Sequence, residues 1–327
     1  MSLYKNEEIK SIEYQRDLFR IKWRLTGWCN YKCPYCIDRY NKEENGKWNK
    51  MELLLKRAEN INNFLVRNNI TDPIHLSLLG GEVTYLDLKS IILKIKNISH
   101  INLTTNFSRK LDYFQDLFIW CKANGIKLFI NCSYHEQSNN FQEKFLELTN
   151  WCKINHFSTP RLSRVIVDEL NINDWIKPYI DSGIDKIMLT KNKDAENDIF
   201  NNLNSSQQSD SESLAKMYED NKKRPKDYKI TFKDGSELYF TSISHFLNNL
   251  DNNGFIPNGF ICNAGFSNIL INWDGKVYGS HCFELMNKPL GSIDDNLLSL
   301  PKEKYYCNNP NIRCCVRNGT SVWRKED

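Results

Sequence analysis

The sequence predicts an α/β fold: a partial (β/α)6 TIM-like barrel, followed by a small C-terminal cysteine-rich β-hairpin domain. Three observations predict it. From Leu18 to about Thr190, short apolar runs alternate with segments of helical apolar spacing. Parallel strands need such crossovers, so this alternation predicts a parallel sheet. After a polar stretch, the pattern changes to alternating segments with Asp-Gly turns, at Asp234-Gly235 and Asp274-Gly275. Six strand–helix units are fewer than the eight of a closed barrel, so the barrel is open or partial.

The elements follow in order. LFRIKWRLT (18–26) reads as the first strand. Met51, Leu54, Ala58, Ile61 and Leu65 share one helical face. IHLSLL (74–79) is the second strand, and Leu88, Ile91, Ile92 and Ile95 mark the next helix. INLTT (101–105) is the third strand. Phe114, Leu117, Phe118 and Cys121 share a helical face, with Gly125 where the helix would end. IKLFINCS (126–133) is the fourth strand, followed by the face of Phe141, Phe145, Leu148 and Cys152. LSRVIV (162–167) is the fifth. A helix through Trp175, Ile176, Tyr179 and Ile180, closed by Gly183, leads to the sixth, DKIMLT (185–190). Cys121 and Cys152 lie on apolar helix faces and Cys132 lies in a strand, so all three read as buried core thiols.

This divides the chain into an N-terminal extension (1–17), the barrel (18–190), a polar linker (191–227) and a tail domain (228–327). The linker contains low-complexity NSSQQSDSES (204–213) and a short helix within SESLAKMYED. The tail carries hairpins at YKITFKDGSELYF (228–240) and around Asp274-Gly275.

Composition bounds the function. The 327 residues are 40% hydrophobic and 26% charged, a soluble globular profile. No run approaches the roughly 20 apolar residues of a membrane span, and the N-terminus lacks a signal peptide's apolar core. The expectation is a cytoplasmic protein. A net charge of +4 does not call for a nucleic-acid partner. Eleven cysteines, an odd number, point in a reducing compartment to metal or catalytic use.

Eight of those cysteines form two groups. The first, Cys29-Asn-Tyr-Lys-Cys33-Pro-Tyr-Cys36, follows directly on the first strand, where α/β folds place their sites. Three thiolates on one loop suit one face of an iron–sulfur cluster, which usually takes four cysteines. With no fourth nearby, one iron keeps an open position for a ligand. On spacing alone, a zinc site with a fourth ligand from elsewhere also stays open.

CNYKCPYC resembles the CxxxCxxC loop of the radical S-adenosylmethionine (SAM) superfamily, including the aromatic residue before the last cysteine, Tyr35. Gly80-Gly81-Glu82, at the tip of the second strand, resembles that family's GGE motif. The resemblance covers about residues 18–190. It implies a 4Fe-4S cluster on Cys29, Cys33 and Cys36, with SAM at the open iron. Glycine-loop carbonyls and Glu82 would accept hydrogen bonds from the SAM amine. By strand position it extends to Thr105 and Asn106, to Ser133 and His135 at the SAM ribose, and to Arg164 at the SAM carboxylate. His135 facing substrate is the alternative. The implied chemistry is reductive cleavage of SAM to methionine and a 5′-deoxyadenosyl radical, which abstracts hydrogen from a C–H bond. A reductant such as flavodoxin or ferredoxin is implied as a partner.

The second group is Cys262, Cys282, Cys307, Cys314 and Cys315. Cys262-Asn-Ala-Gly, Trp273-Asp274-Gly275-Lys-Val-Tyr and Cys282 resemble the hairpin of SPASM or twitch domains, which hold auxiliary 4Fe-4S clusters. Six residues separate Gly275 from Cys282, where the SPASM pattern has four. Five cysteines suit one cluster, the shorter twitch arrangement, with Cys314 as ligand and Cys315 its substitute. A zinc ribbon is the structural alternative.

The leading expectation is therefore an oxidising or bond-forming enzyme acting on a small molecule, such as a sugar or nucleoside derivative, or on a ribosomal peptide. Only 28 residues precede Cys29, which tilts toward a small molecule or a peptide presented by another protein. A peptide-modifying maturase or epimerase is the alternative. A non-enzymatic zinc-stapled module and a degenerate SAM binder are the more distant readings.

Overall fold

The structure, a computed structural model, describes residues 8–14, 18–33, 36, 49–166, 172–184, 187–191, 228–240, 260–280, 288–295, 298–301, 304–307 and 322–324. The barrel elements are β2 (Phe19–Arg24), α1 (Met51–Arg67), β3 (Ile74–Leu79), α2 (Leu88–Leu93), β4 (Ile98–Thr105), α3 (Leu111–Ala123), β5 (Lys127–Tyr134), α4 (Phe141–Ile154), β6 (Arg161–Ile166), α5 (Ile172–Asp181) and β7 (Ile187–Lys191). Before them lies β1 (Ile9–Tyr14). After them come β8 (Tyr228–Phe232), β9 (Glu237–Phe240), β10 (Phe260–Cys262), β11 (Asn268–Ile271), β12 (Lys276–Tyr278), β13 (Gly291–Ser292), β14 (Tyr305–Cys307) and β15 (Val322–Arg324).

β2 through β7 pair in parallel, each with the next, as the sequence predicts. Three tail strands extend this sheet to nine, in the order β13-β12-β11-β2-β3-β4-β5-β6-β7. β11 lies parallel to β2, with Asn268 opposite Arg20 and Ile271 opposite Trp23. All four residues of β11, Asn-Ile-Leu-Ile, are buried. A strand so apolar belongs inside a parallel sheet, and the edge of β2 offers that place. The second sheet, β14-β10-β15-β1-β8-β9, is antiparallel and holds the Asp234-Gly235 hairpin. The tail's two hairpins thus lie in different sheets, and β1, from the N-terminal stretch, pairs with β8 and β15. The linker stretch 192–227, with SESLAKMYED, lies outside the described residues.

The two faces of the barrel sheet differ. Phe19, Ile21, Trp23, Leu76, Leu78, Leu103, Ile130 and Cys132 are buried in the core shared with the helices. Each large apolar side chain buried this way contributes about 1.5–3 kcal/mol. Cys121, Cys132 and Cys152 belong to this core and are fully buried, as their apolar settings predict. The alternating residues are mostly polar and half-exposed, among them Lys22, His75, Ser77, Asn102, Asn131 and Ser133. Parallel sheets usually have both faces covered. Here the inner face keeps solvent access, and it leads up to the strand tips.

The β11–β12 hairpin is bolted to the first barrel helix. Arg57 of α1 is buried and makes a bidentate pair with Asp294, Nε to Oδ1 at 2.8 Å and Nη2 to Oδ2 at 2.7 Å. Its Nη1 donates to the Trp273 carbonyl at 2.7 Å. Asn49 Nδ2 bridges the carbonyls of Leu25 (2.7 Å) and Trp273 (3.0 Å). Gly275 turns the hairpin at φ +88°, and a Cβ there would stand 2.6 Å from Arg57 Nη2. Among the described residues, no helix is long and apolar enough to cross a membrane.

Candidate metal centre

Parallel strands bring their C-terminal ends to one edge, and the candidate residues gather there. Cys29, Cys33 and Cys36 follow β2, Gly80-Gly81-Glu82 follow β3, Thr105 and Asn106 end β4, and Ser133 and His135 end β5. Tyr35 lies outside the described residues.

The glycines seat the root of the cysteine loop. Gly81 N–H donates to the Thr26 carbonyl and Glu82 N–H to the Trp28 carbonyl, both at 2.8 Å. A Cβ on Gly81 would lie 1.7 Å from the Trp28 oxygen and 3.0 Å from Cys29 N. Gly80, at φ +139°, would place a Cβ 2.5 Å from the Thr26 oxygen. Only glycine permits this approach. The two glycines are thus pressed against the cysteine loop itself.

Glu82 is fully buried. Its Oε1 accepts from Thr84 N (3.1 Å), Thr84 Oγ1 (2.6 Å) and Thr105 Oγ1 (2.8 Å). Its Oε2 accepts from Asn106 N at 2.6 Å. Burial pushes the carboxyl up from its ordinary range, and these donors pull it down. The carboxylate is thus a strut between the tips of β3 and β4, and it fixes Asn106. Asn106 Nδ2 in turn donates to Asn30 Oδ1 at 2.8 Å and to Cys29 Sγ at 3.6 Å.

The thiols sit among further donors. Tyr31 N–H donates to Cys29 Sγ at 3.5 Å. Cys33 is buried, and its Sγ stands 3.1 Å from His135 Nδ1. Burial lowers the His135 pKa to about 4, so the ring is neutral at pH 7. Tyr31 packs edge-on against that ring at 5.7 Å, and its hydroxyl lies 3.2 Å from Ser138 Oγ. The Cys29 thiol is pushed up to about 11, first by burial, with Glu82, Cys33 and Cys36 adding to it against the Tyr31 N–H. A bound metal reverses that, because a coordinating thiol is deprotonated outright.

The donor set is of the kind a cluster takes: three thiols on one loop, none in a disulfide, with N–H groups directed at the Cys29 sulfur. As placed, no three His, Cys, Asp or Glu side chains among the described residues stand close enough to hold a metal ion.

The two remaining strand-end candidates lie on opposite faces of the sheet. Ser133 faces inward, with its Oγ 3.1 Å from Ser163 Oγ across β5 and β6. Arg164 pairs with Tyr134 and shares the parity of buried Leu162, so it lies on the helix-facing side. Its guanidinium stands 4.9 Å from the Tyr134 ring and 4.4 Å from Trp175. The structure does not bring it to the face shared by Ser133 and Ser163. The contacts of Asn30, Ser163, Asn49 and Arg57 were not anticipated. Only Arg57 carried a signal, as a charged residue on an apolar helix face beside Ala58.

In the tail, Cys262 is buried on β10, and β14 pairs so that Phe260 faces Cys307 and Cys262 faces Tyr305. Cys262 and Cys307 therefore occupy diagonal positions on neighbouring strands. Cys282, Cys314 and Cys315 lie outside the described residues.

This fold, with its cysteine loop after the first barrel strand, is similar to that of solved proteins with bound AdoMet. A solved structure of native anSMEcpe with bound AdoMet overlaps 85% of this chain and 78% of its own, at a TM-score of 0.54 and 15% identity. A histidine-tagged form of anSMEcpe with AdoMet overlaps 86% of this chain and 76% of its own, at 0.51 and 15% identity. In sequence, 62 residues are 31% identical to an S-adenosylmethionine-dependent nucleotide dehydratase of Fibrobacter sp. (strain UWH6). That match spans 19% of this chain and 18% of the dehydratase. No protein-family model matches.

Proposed function

We propose that the chain is a radical SAM enzyme that cleaves SAM reductively and abstracts a hydrogen atom from a substrate in the barrel. The observation that carries this is the clamp of Gly81 and Glu82 on the backbone of Trp28 and Cys29, which ties the GGE turn to the three-cysteine loop. When bound, the 4Fe-4S cluster supplies the electron that splits SAM into methionine and the 5′-deoxyadenosyl radical.

Cys29, Cys33 and Cys36 would hold the cluster. Tyr31 N–H, Asn106 Nδ2 and His135 Nδ1 stand near the sulfurs, and hydrogen bonds to sulfur tune cluster potential. Glu82 acts through Asn106, holding it against the loop. The inner face, running from the strand tips down past Ser133 and Asn131, would seat the substrate. An electron donor such as flavodoxin or ferredoxin serves the cluster. Cys262 and Cys307, with Cys282 and either Cys314 or Cys315, would hold an auxiliary 4Fe-4S cluster, which would supply an electron acceptor.

Anaerobic purification tests the reading. The account expects a brown protein containing iron and acid-labile sulfide, losing the SAM-binding cluster in Cys36→Ala. A colourless protein containing zinc would overturn it.

A further inference from the structure

The inner face of the barrel carries one sign of charge. β2 contributes Arg20, Lys22 and Arg24 at alternate positions, all on the side opposite buried Phe19, Ile21 and Trp23. Neighbouring strands add His75 opposite Arg20, and His100 opposite His75. Across the inner-face positions of β2 to β6 and β11, the described residues include no Asp or Glu. Glu82, the nearby carboxylate, is buried and held by Thr84, Thr105 and Asn106.

The cations occupy different depths. Arg20, lowest, is engaged from β1: its Nη2 donates to the Tyr14 hydroxyl, and its guanidinium lies 4.2 Å from the Tyr14 ring centroid. Lys22 is half-exposed at mid-height, opposite Ser77 on one side and Leu270 on the other. Arg24 is buried near the tips, with Nη1 3.3 Å from Asn272 Oδ1. Lys22 and Arg24 are about 6.6 Å apart along the strand. Facing them across the concave surface are neutral hydrogen-bonding groups. Asn131 Nδ2 donates to Asn102 Oδ1 at 2.9 Å, and the hydroxyls of Ser133 and Ser163 stand 3.1 Å apart.

A protein surface lined by one sign of charge directs its field at a ligand of the opposite sign. Arg and Lys together suit phosphate, the first through its planar fork and the second as a point charge. We infer that this face binds an anionic small molecule of the nucleoside-phosphate type, its phosphates on Lys22 and Arg24 and its sugar toward Asn131, Ser133 and Ser163. This deepens the proposed function and rests on it for the claim that the anion is substrate. That the dehydratase segment belongs to a nucleotide enzyme agrees with this class.

The test is equilibrium binding of inorganic tripolyphosphate, ATP and citrate to the reconstituted full chain, at two salt concentrations. The expected result is salt-sensitive binding of tripolyphosphate and ATP, weakened at least tenfold by Lys22→Gln and by Arg24→Gln. Lys56→Gln, exposed on α1, is the charge control and leaves binding unchanged. If Arg24→Gln does not fold, half-exposed Lys22→Gln carries the test alone. Binding of citrate alone, binding of none of the three, or binding indifferent to both substitutions overturns the inference. The wild-type chain is assayed separately for 5′-deoxyadenosine. Product without tripolyphosphate binding removes the anion site and leaves the radical reading standing. Binding that depends on Lys22, without product, supports the site and removes the radical reading.

Discussion

Replacing Gly81 with Ala adds a single methyl group, and the structure gives it nowhere to go. Its Cβ would stand 1.7 Å from the Trp28 oxygen and 2.3 Å from the Trp28 carbonyl carbon. Carbon atoms of this kind essentially never approach within 3.0 Å, so one backbone must move by about 1.3 Å. No side-chain rotation relieves the clash, because both obstructing atoms are main chain. The movement also strains two hydrogen bonds, Gly81 N–H to Thr26 and Glu82 N–H to Trp28. Overpacking costs about 1–3 kcal/mol and each hydrogen bond about 0.5–1.5 kcal/mol, so the total is about 2–6 kcal/mol. What moves is the root of the cysteine loop, and a 1 Å misplacement of this kind can cost about 100-fold in rate. The assay is iron per chain and 5′-deoxyadenosine formation after anaerobic reconstitution, beside thermal melting. Gly125→Ala is the control: no atom lies within 4 Å of its Cβ, and only its φ of +70° costs, by about 1–2 kcal/mol. Gly81→Ala protein with iron content and product formation within twofold of wild type would refute the clamp.

Three further outcomes follow from the same contacts. Glu82→Gln puts an amide donor where only donors approach, costing about 1–3 kcal/mol, and a lowered melting temperature checks it. Arg57→Leu leaves the Trp273 carbonyl and Asp294 without their partner. A fully buried pair would lose about 3–5 kcal/mol, and about 2–3 kcal/mol is expected here because the Asp294 side chain is 36% exposed. Hydrogen exchange should then rise in β11 and β12 before it rises in β4 and β5. In chelator-treated protein at pH 8, iodoacetamide should label Cys36 before buried Cys33 and leave Cys121, Cys132 and Cys152 untouched until unfolding. The last three are fully buried, and with its pKa pushed up to about 12 only about one Cys121 thiol in 10⁴ is ionised.

The barrel was legible because its signals are local. The 3.6-residue and two-residue periods mark each helix and strand, and the strand ends place Cys29, Gly80, Asn106 and His135 on one edge. The pairing of β11 with β2 was not legible, since it joins residues some 250 positions apart and no local period encodes a partner. β1 escaped for a related reason: IKSIEY is short, and its partners β8 and β15 lie far along the chain. Arg164 shows a signal present but unused. Leu162 is a core residue two positions before it, and strand alternation places both on the helix side. The basic face of β2 is similar: the alternation in FRIKWR that marks a strand also puts Arg20, Lys22 and Arg24 on one side of it. Glu82 was recognised by its motif, but that its oxygens are held by Thr84, Thr105 and Asn106 is tertiary information.

The central claim is that the loop of Cys29, Cys33 and Cys36 generates a radical from SAM. The most direct measurement is 5′-deoxyadenosine and methionine formed from SAM by anaerobically reconstituted protein with dithionite, compared with Cys33→Ala prepared identically. The account predicts both products in equal amounts from the wild-type chain and none above background from Cys33→Ala. Equal 5′-deoxyadenosine from the two proteins would contradict it.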